Sequence, residues 1–167
     1  MLKNLVCATL IGSLALSLAA CSEKKTVCGI EVETAPAIGG FKDVYTINLD
    51  GKTWKGLHDD SVHLWTMVTK AGTDTWWVMA SGDENTEKIL AEPNSKTKYE
   101  KFSVISLERV DCSEQRIMNL RSLTYKDFFG RGKLSFTIDY ERKGTSKWTY
   151  FPPTKHHKIN ALVCGRY

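Results

Sequence analysis

Cysteine is the residue whose type and placement do the most chemistry in this chain. Five are present. Cys21 closes the run Leu18-Ala19-Ala20-Cys21, which follows Lys3 and an apolar stretch from Leu5 to Leu18. A positive charge, a short apolar core and small residues before a cleavage point are the parts of a secretory signal. The apolar core is about 14 residues, short of the roughly 20 a permanent membrane-spanning helix needs. The Leu-Ala-Ala-Cys ending resembles the bacterial lipobox, in which the Cys thiol carries diacylglycerol. Residues 1–20 are therefore expected to be an export signal, and Cys21 the lipidated first residue of the mature protein. Ser22 follows it, rather than the Asp that retains such proteins at an inner membrane. The expected location is the outer membrane, by lipid anchor, facing either the surface or the periplasm.

Export removes Cys7 from the count, and lipid occupies Cys21. Cys28, Cys112 and Cys164 remain in an oxidising compartment where a disulfide is expected. Three cysteines allow three single bridges, and spacing alone does not choose. Cys112 and Cys164 each end an apolar run, and a bridge between them would close a loop of 52 residues. Cys28 then stands apart, near the anchor. No C-x-x-C occurs, so the signal for structural zinc is weak.

Other side chains have the right chemistry but weaker patterns. His58, His63, Asp59 and Asp60 are ligand-competent, yet their spacing spans a loop-to-strand junction and fixes no metal geometry, so no metal site is assigned. His156 and His157 are adjacent and point about 100° apart on a helix. Lys98, Lys101 and Arg109 could face an anionic partner. They could equally be a solvated strand face, their stems covering apolar surface beside Ile105 and Leu107. Trp54, Trp65, Trp76, Trp77 and Trp148 suit packing between strands better than sugar stacking. The chain contains no G-x-S-x-G, H-E-x-x-H or phosphate loop, and no catalytic residue is assigned.

The elements that must position these groups are mostly strands. Residues 22–26 read as a polar tether, and 34–40 as a loop. Val44 to Leu49 reads as a strand leading into an Asp50-Gly51 hairpin turn. Further strands are expected over 62–69, 75–80, 99–110 and 115–125. Leu134, Phe136, Ile138 and Tyr140 alternate with polar residues, the cleanest period of two in the chain. A short helix is expected from Asp83 to Ala91. Another runs from Lys155 to Cys164, capped by Thr154 and stopped by Gly165. This predicts an α+β, mainly β fold: one antiparallel sheet covered by a C-terminal helix. No second domain is indicated. The chain carries 23 basic and 19 acidic side chains, net +4. That is too little charge to suggest a nucleic-acid partner.

From Cys112 onward the chain resembles the surface-adhesin protein E family. That family shows a Cys, an Arg nine residues on, then a tyrosine, an acid, an aromatic pair and Gly-x-Gly. It ends in a Pro-led helix that closes on a second Cys and is followed by a Tyr. Here these are Cys112, Arg121, Tyr125, Asp127, Phe128, Phe129, Gly130, Gly132, Pro152, Cys164 and Tyr167. The likeness is clearest over residues 99–167. Before it, His58-Asp59-Asp60-Ser61-Val62 loosely matches a family Asp-x-x-Ser-Ile element, with His58 in the Asp place. The resemblance implies a lipid-anchored outer-membrane protein, a helix disulfide-linked to a sheet through Cys112 and Cys164, and pairing into dimers. It also implies binding of host matrix proteins such as vitronectin and laminin by the basic strand before the first Cys. Tyr99 and Phe102 stand there where the adhesin has further basic residues. Haem binding is associated with the family, but no residue here is matched to it, and no cofactor is expected. The function expected is a non-enzymatic surface binder. The alternative is a periplasm-facing inhibitor or immunity protein for a secreted hydrolase.

Overall fold

The computed structural model describes residues 24–38, 40–83, 101–151 and 157–165. Ten strands make one antiparallel sheet: β1 (Lys24–Val27), β2 (Ile30–Ala35), β3 (Val44–Leu49), β4 (Lys52–Asp59), β5 (Leu64–Lys70), β6 (Thr75–Gly82), β7 (Ser103–Asp111), β8 (Arg116–Tyr125), β9 (Leu134–Asp139) and β10 (Trp148–Tyr150). Among the described residues one α-helix, α1 (His157–Cys164), follows. Strands β1 to β8 pair in sequence order. Two-residue turns at Cys28-Gly29 and at Asp50-Gly51 have positive φ at both positions. That backbone matches the twist of the strands it joins, which is why Asp-Gly announces a hairpin.

The expected strands are present, with ends shifted by a few residues. Lys24, Lys25 and Thr26 differ from the tether expected there, since they pair with Glu33, Val32 and Glu31 of β2. The stretch is polar because β1 is a sheet edge with one side in solvent, so it carries no apolar alternation. The helix expected from Asp83 to Ala91 falls beyond Asp83 outside the described residues, as does the Thr154 cap.

Both faces of the sheet are buried at its centre. On one, Val44, Leu57, Val68 and Val78 meet Ile159 and Leu162 of α1. Burying each such side chain contributes about 1.5–3 kcal/mol. An eight-residue helix is unstable alone in water, so packing has to hold it. The Cys112–Cys164 disulfide ties its C-terminal end to the turn after β7. Lys158 ties its start to Asp59 of β4, Nζ to Oδ2 at 2.7 Å. On the other face, Ile47, Trp54, Trp65, Met67 and Met79 surround Phe128 and Phe129.

Those two phenylalanines explain the Tyr125–Gly132 segment. They sit in a 3-10 turn over Phe128–Gly130 that plugs the curled sheet. Phe129 has φ +57, a left-handed conformation that is uncommon for a bulky residue. Two buried serines hold it there. Phe129 N–H donates to Ser81 Oγ at 2.9 Å, and Gly130 N–H to Ser103 Oγ at 2.8 Å. Gly130 has φ +72, and a Cβ there would lie 2.7 Å from Ile105 Cδ1. Arg131 then reaches across to the β1–β2 turn, donating to the Cys28 carbonyl at 2.8 Å.

A β-bulge shapes the last edge. Leu107 pairs with Arg121 but Glu108 pairs with Asn119, so Leu120 is extra on β8. The Leu120 carbonyl turns outward and accepts N–H groups of Tyr140 and Glu141 at 2.9 and 3.2 Å. The outer side of β8 is thereby divided. β9 pairs with its residues 121–125 and β10 with residues 116–118.

Candidate functional site

The basic residues singled out from sequence do not converge. Lys98 lies outside the described residues. Lys101 is exposed just before β7, its ammonium 5.7 Å from the centre of the Phe128 ring. Arg109 stands near the other end of β7, with Nε 3.0 Å from Asp74 Oδ2. Eight residues of extended chain separate the two by roughly 25 Å.

A broader surface lies on the outer side of β8. The alternation over β9 identifies a strand, but its apolar side is not covered. Leu134 and Phe136 are exposed, Phe136 at 59%, because α1 packs over the β3–β6 end of the sheet. β10 adds Trp148 and Tyr150, the latter 72% exposed. The Arg116 guanidinium lies over the Trp148 ring at 4.7 Å. Among the described residues, no strand pairs with the outer side of β9 or β10. Among the described residues this edge therefore offers unpaired backbone groups beside large apolar side chains. Such an edge is competent to receive another chain.

The turn into β8 is held by one carboxylate. Asp111 accepts hydrogen bonds from Ser113 Oγ at 2.6 Å, from Glu114 N–H at 3.1 Å and from Arg116. Its carboxyl is lowered to about 2, chiefly by the Ser113 hydroxyl, then the Glu114 N–H and Arg116.

A polar cluster occupies the β4–β5 end of the sheet. His58 near the end of β4 has Nδ1 2.7 Å from Asp60 Oδ1 and Nε2 2.9 Å from Asp83 Oδ2. Its side chain is 9% exposed and that of Asp83 4%. The Trp65 ring covers His58 at 4.6 Å between centres. His63 closes the turn with φ +50. Asp59 faces elsewhere, toward Lys158 and Ser61. Those hydrogen bonds, Lys158 first, lower its carboxyl to about 2. His58 and His63 are thus brought together, but the carboxylate between them is Asp83, not Asp59. Sequence inspection missed Asp83 because it lies 25 residues from His58 and arrives through the pairing of β4, β5 and β6.

The expected bridge is present, Cys112 to Cys164. Cys28 lies at the β1–β2 turn, half-buried and apart from that bridge. Cys21 is outside the described residues. Among those described, no helix is long and apolar enough to cross a membrane.

Comparison with known proteins adds one match. The model of the family described as surface-adhesin protein E covers residues 38–165. No curated protein matches the chain, and no solved structure does. The family match extends well upstream of the segment where the resemblance is plainest, and takes in β3 to β6. With most of its length matched, the chain belongs to the surface-adhesin protein E family and is an adhesin-like surface protein.

Proposed function

We propose that this protein is a non-enzymatic, lipid-anchored outer-membrane adhesin that binds a host matrix protein of the vitronectin or laminin class. The observation that carries the reading is the open β9–β10 edge, where Leu134, Phe136, Trp148 and Tyr150 are exposed. Large exposed apolar groups on a monomer mark contact surfaces, and aromatic residues are enriched where partners bind. Lys98 and Lys101 contribute charge for encounter, which steers association more than it holds the complex.

The anchor follows from the Leu-Ala-Ala-Cys sequence ending at Cys21. Acyl chains contribute about 0.8 kcal/mol per buried methylene, enough for several chains to hold a protein at a bilayer. Cys21 is three residues from Lys24, where β1 begins. Three residues can reach at most about 10 Å. The domain then sits against the membrane by its β1 edge. The β9–β10 edge, last in sheet order, remains available.

Antibody labelling of intact and permeabilised cells tests the orientation. The adhesin reading expects equal labelling before and after permeabilisation. Labelling only after permeabilisation would exclude it and favour a periplasmic inhibitor.

A further inference from the structure

We propose that His58, His63 and Asp83 form a binding site for a divalent transition-metal ion of the zinc class. Each offers one ligand atom, and these three atoms lie within 4.8 Å of one another. They come from three places: β4, the β4–β5 turn, and the residue following β6. Pairing brings them together. His58 lies opposite Trp65, which lies opposite Ser81, two residues before Asp83.

Hydrogen bonding at His58 sets up the ligand atom. Asp60 Oδ1 lies 2.7 Å from Nδ1, placed to accept a hydrogen bond from the tautomer that carries its N–H there. The ring then has its Nε2 lone pair directed at Asp83 Oδ2, 2.9 Å away. Two lone pairs cannot face each other at that distance without a proton or a cation between them. A carboxylate that orients a histidine whose other nitrogen meets the ion is the usual outer shell of a metal site.

The distances are close to what an ion needs. Zinc bonds of about 2.0–2.1 Å at tetrahedral angles place ligand atoms roughly 3.3 Å apart. His58 and Asp83 have only to part by a few tenths of an ångström. His63, whose ligand atom lies within 4.8 Å of the other two, would have to approach them by up to about 1.5 Å. Two imidazoles and one carboxylate are a donor set that such an ion takes. Imidazole ligands favour zinc, copper and nickel over magnesium and calcium, which take oxygen. Asp83 and His58 are largely out of water, where an ion's attraction to a carboxylate is least screened. Three protein ligands leave the fourth position to water.

The test uses the mature protein stripped with a chelator. Titration with Co2+ is followed by its visible bands, and Zn2+ binding by calorimetry. We expect one ion per chain with a four-coordinate Co2+ spectrum. Asp60→Asn alters an exposed residue that touches the ion only through His58, and should weaken binding about 10- to 100-fold. His63→Asn keeps a residue type that tolerates positive φ and should weaken it at least as much. Asp83→Ala should abolish the Co2+ spectrum. Failure of the unaltered protein to bind either ion would overturn the proposal. So would affinity unchanged in the Asp60→Asn, His63→Asn double variant, because the ion would then be elsewhere. Neither result depends on whether the Asp83 variant folds.

Discussion

Phe129 is the side chain on which the sheet's curled face closes. It is 1% exposed and meets Trp65, with ring centres 6.2 Å apart. Phe129→Ala should cost about 3–5 kcal/mol, from lost burial and the cavity left behind, measurable by urea unfolding. Ser81→Ala would strand the buried Phe129 N–H and should cost about 1–3 kcal/mol. Asp111 predicts an acid sensitivity. Its folded pKa, about 2, lies below the ordinary 3.8. The stabilisation it brings is therefore present above pH 3.8 and is lost as pH falls through about 2. Stability of an Asp111→Asn variant, followed by denaturant midpoint, should depend less on pH across that window. Gly130 and Gly132 both take positive φ, a region only glycine enters freely, so a Gly-x-Gly after an aromatic pair carries its own turn signal. The two serines that hold the plug were not legible, since a hydroxyl on a strand gives no sign of which backbone it will meet.

Periodicity identifies most of the strands with a buried face, but it does not single out β2, although Ile30 and Val32 enter the core. β3, β6, β7 and β8 carry apolar residues that enter a core, and their alternation survives in the sequence. β1 and β10 are short edges, and edges need no apolar side. β9 inverts the rule: its alternation is clean, yet Leu134 and Phe136 lie exposed. Period predicts the strand, and only the extent of α1 decides whether the apolar side is covered. The helix itself depends on its staple. Closing a 52-residue loop stabilises by about 4 kcal/mol on the chain-entropy model. Cys164→Ser should lower stability by about that amount. Amide exchange in Ile159–Val163 should rise more than in β5, as the short helix loses its anchor first.

At the scale of the molecule, one sheet has two different edges. β1 starts three residues after Cys21, so the lipid attachment proposed there would be next to the first strand in the chain. The β9–β10 edge is split by the Leu120 bulge, which sets β9 and β10 end to end along β8. Of the tether expected over 22–26, the residues from Lys24 onward are strand. The domain should be held close to the bilayer rather than displayed on a stalk. Replacing Cys21 by Ser should release the protein from membranes into the soluble fraction, while its folded stability stays unchanged.

Partner binding by the β9–β10 edge is the property on which the proposed function stands. The direct measurement is binding of residues 22–167 to immobilised vitronectin and laminin, comparing the unaltered domain with a Phe136→Ser, Tyr150→Ser double variant. Both substituted side chains are exposed, so folding should be preserved and confirmed by an unchanged denaturant midpoint. Saturable binding is expected, weakened at least about tenfold by the double change, the loss of two anchoring contacts. No binding by the unaltered domain, or equal binding by the variant, would contradict the proposed function.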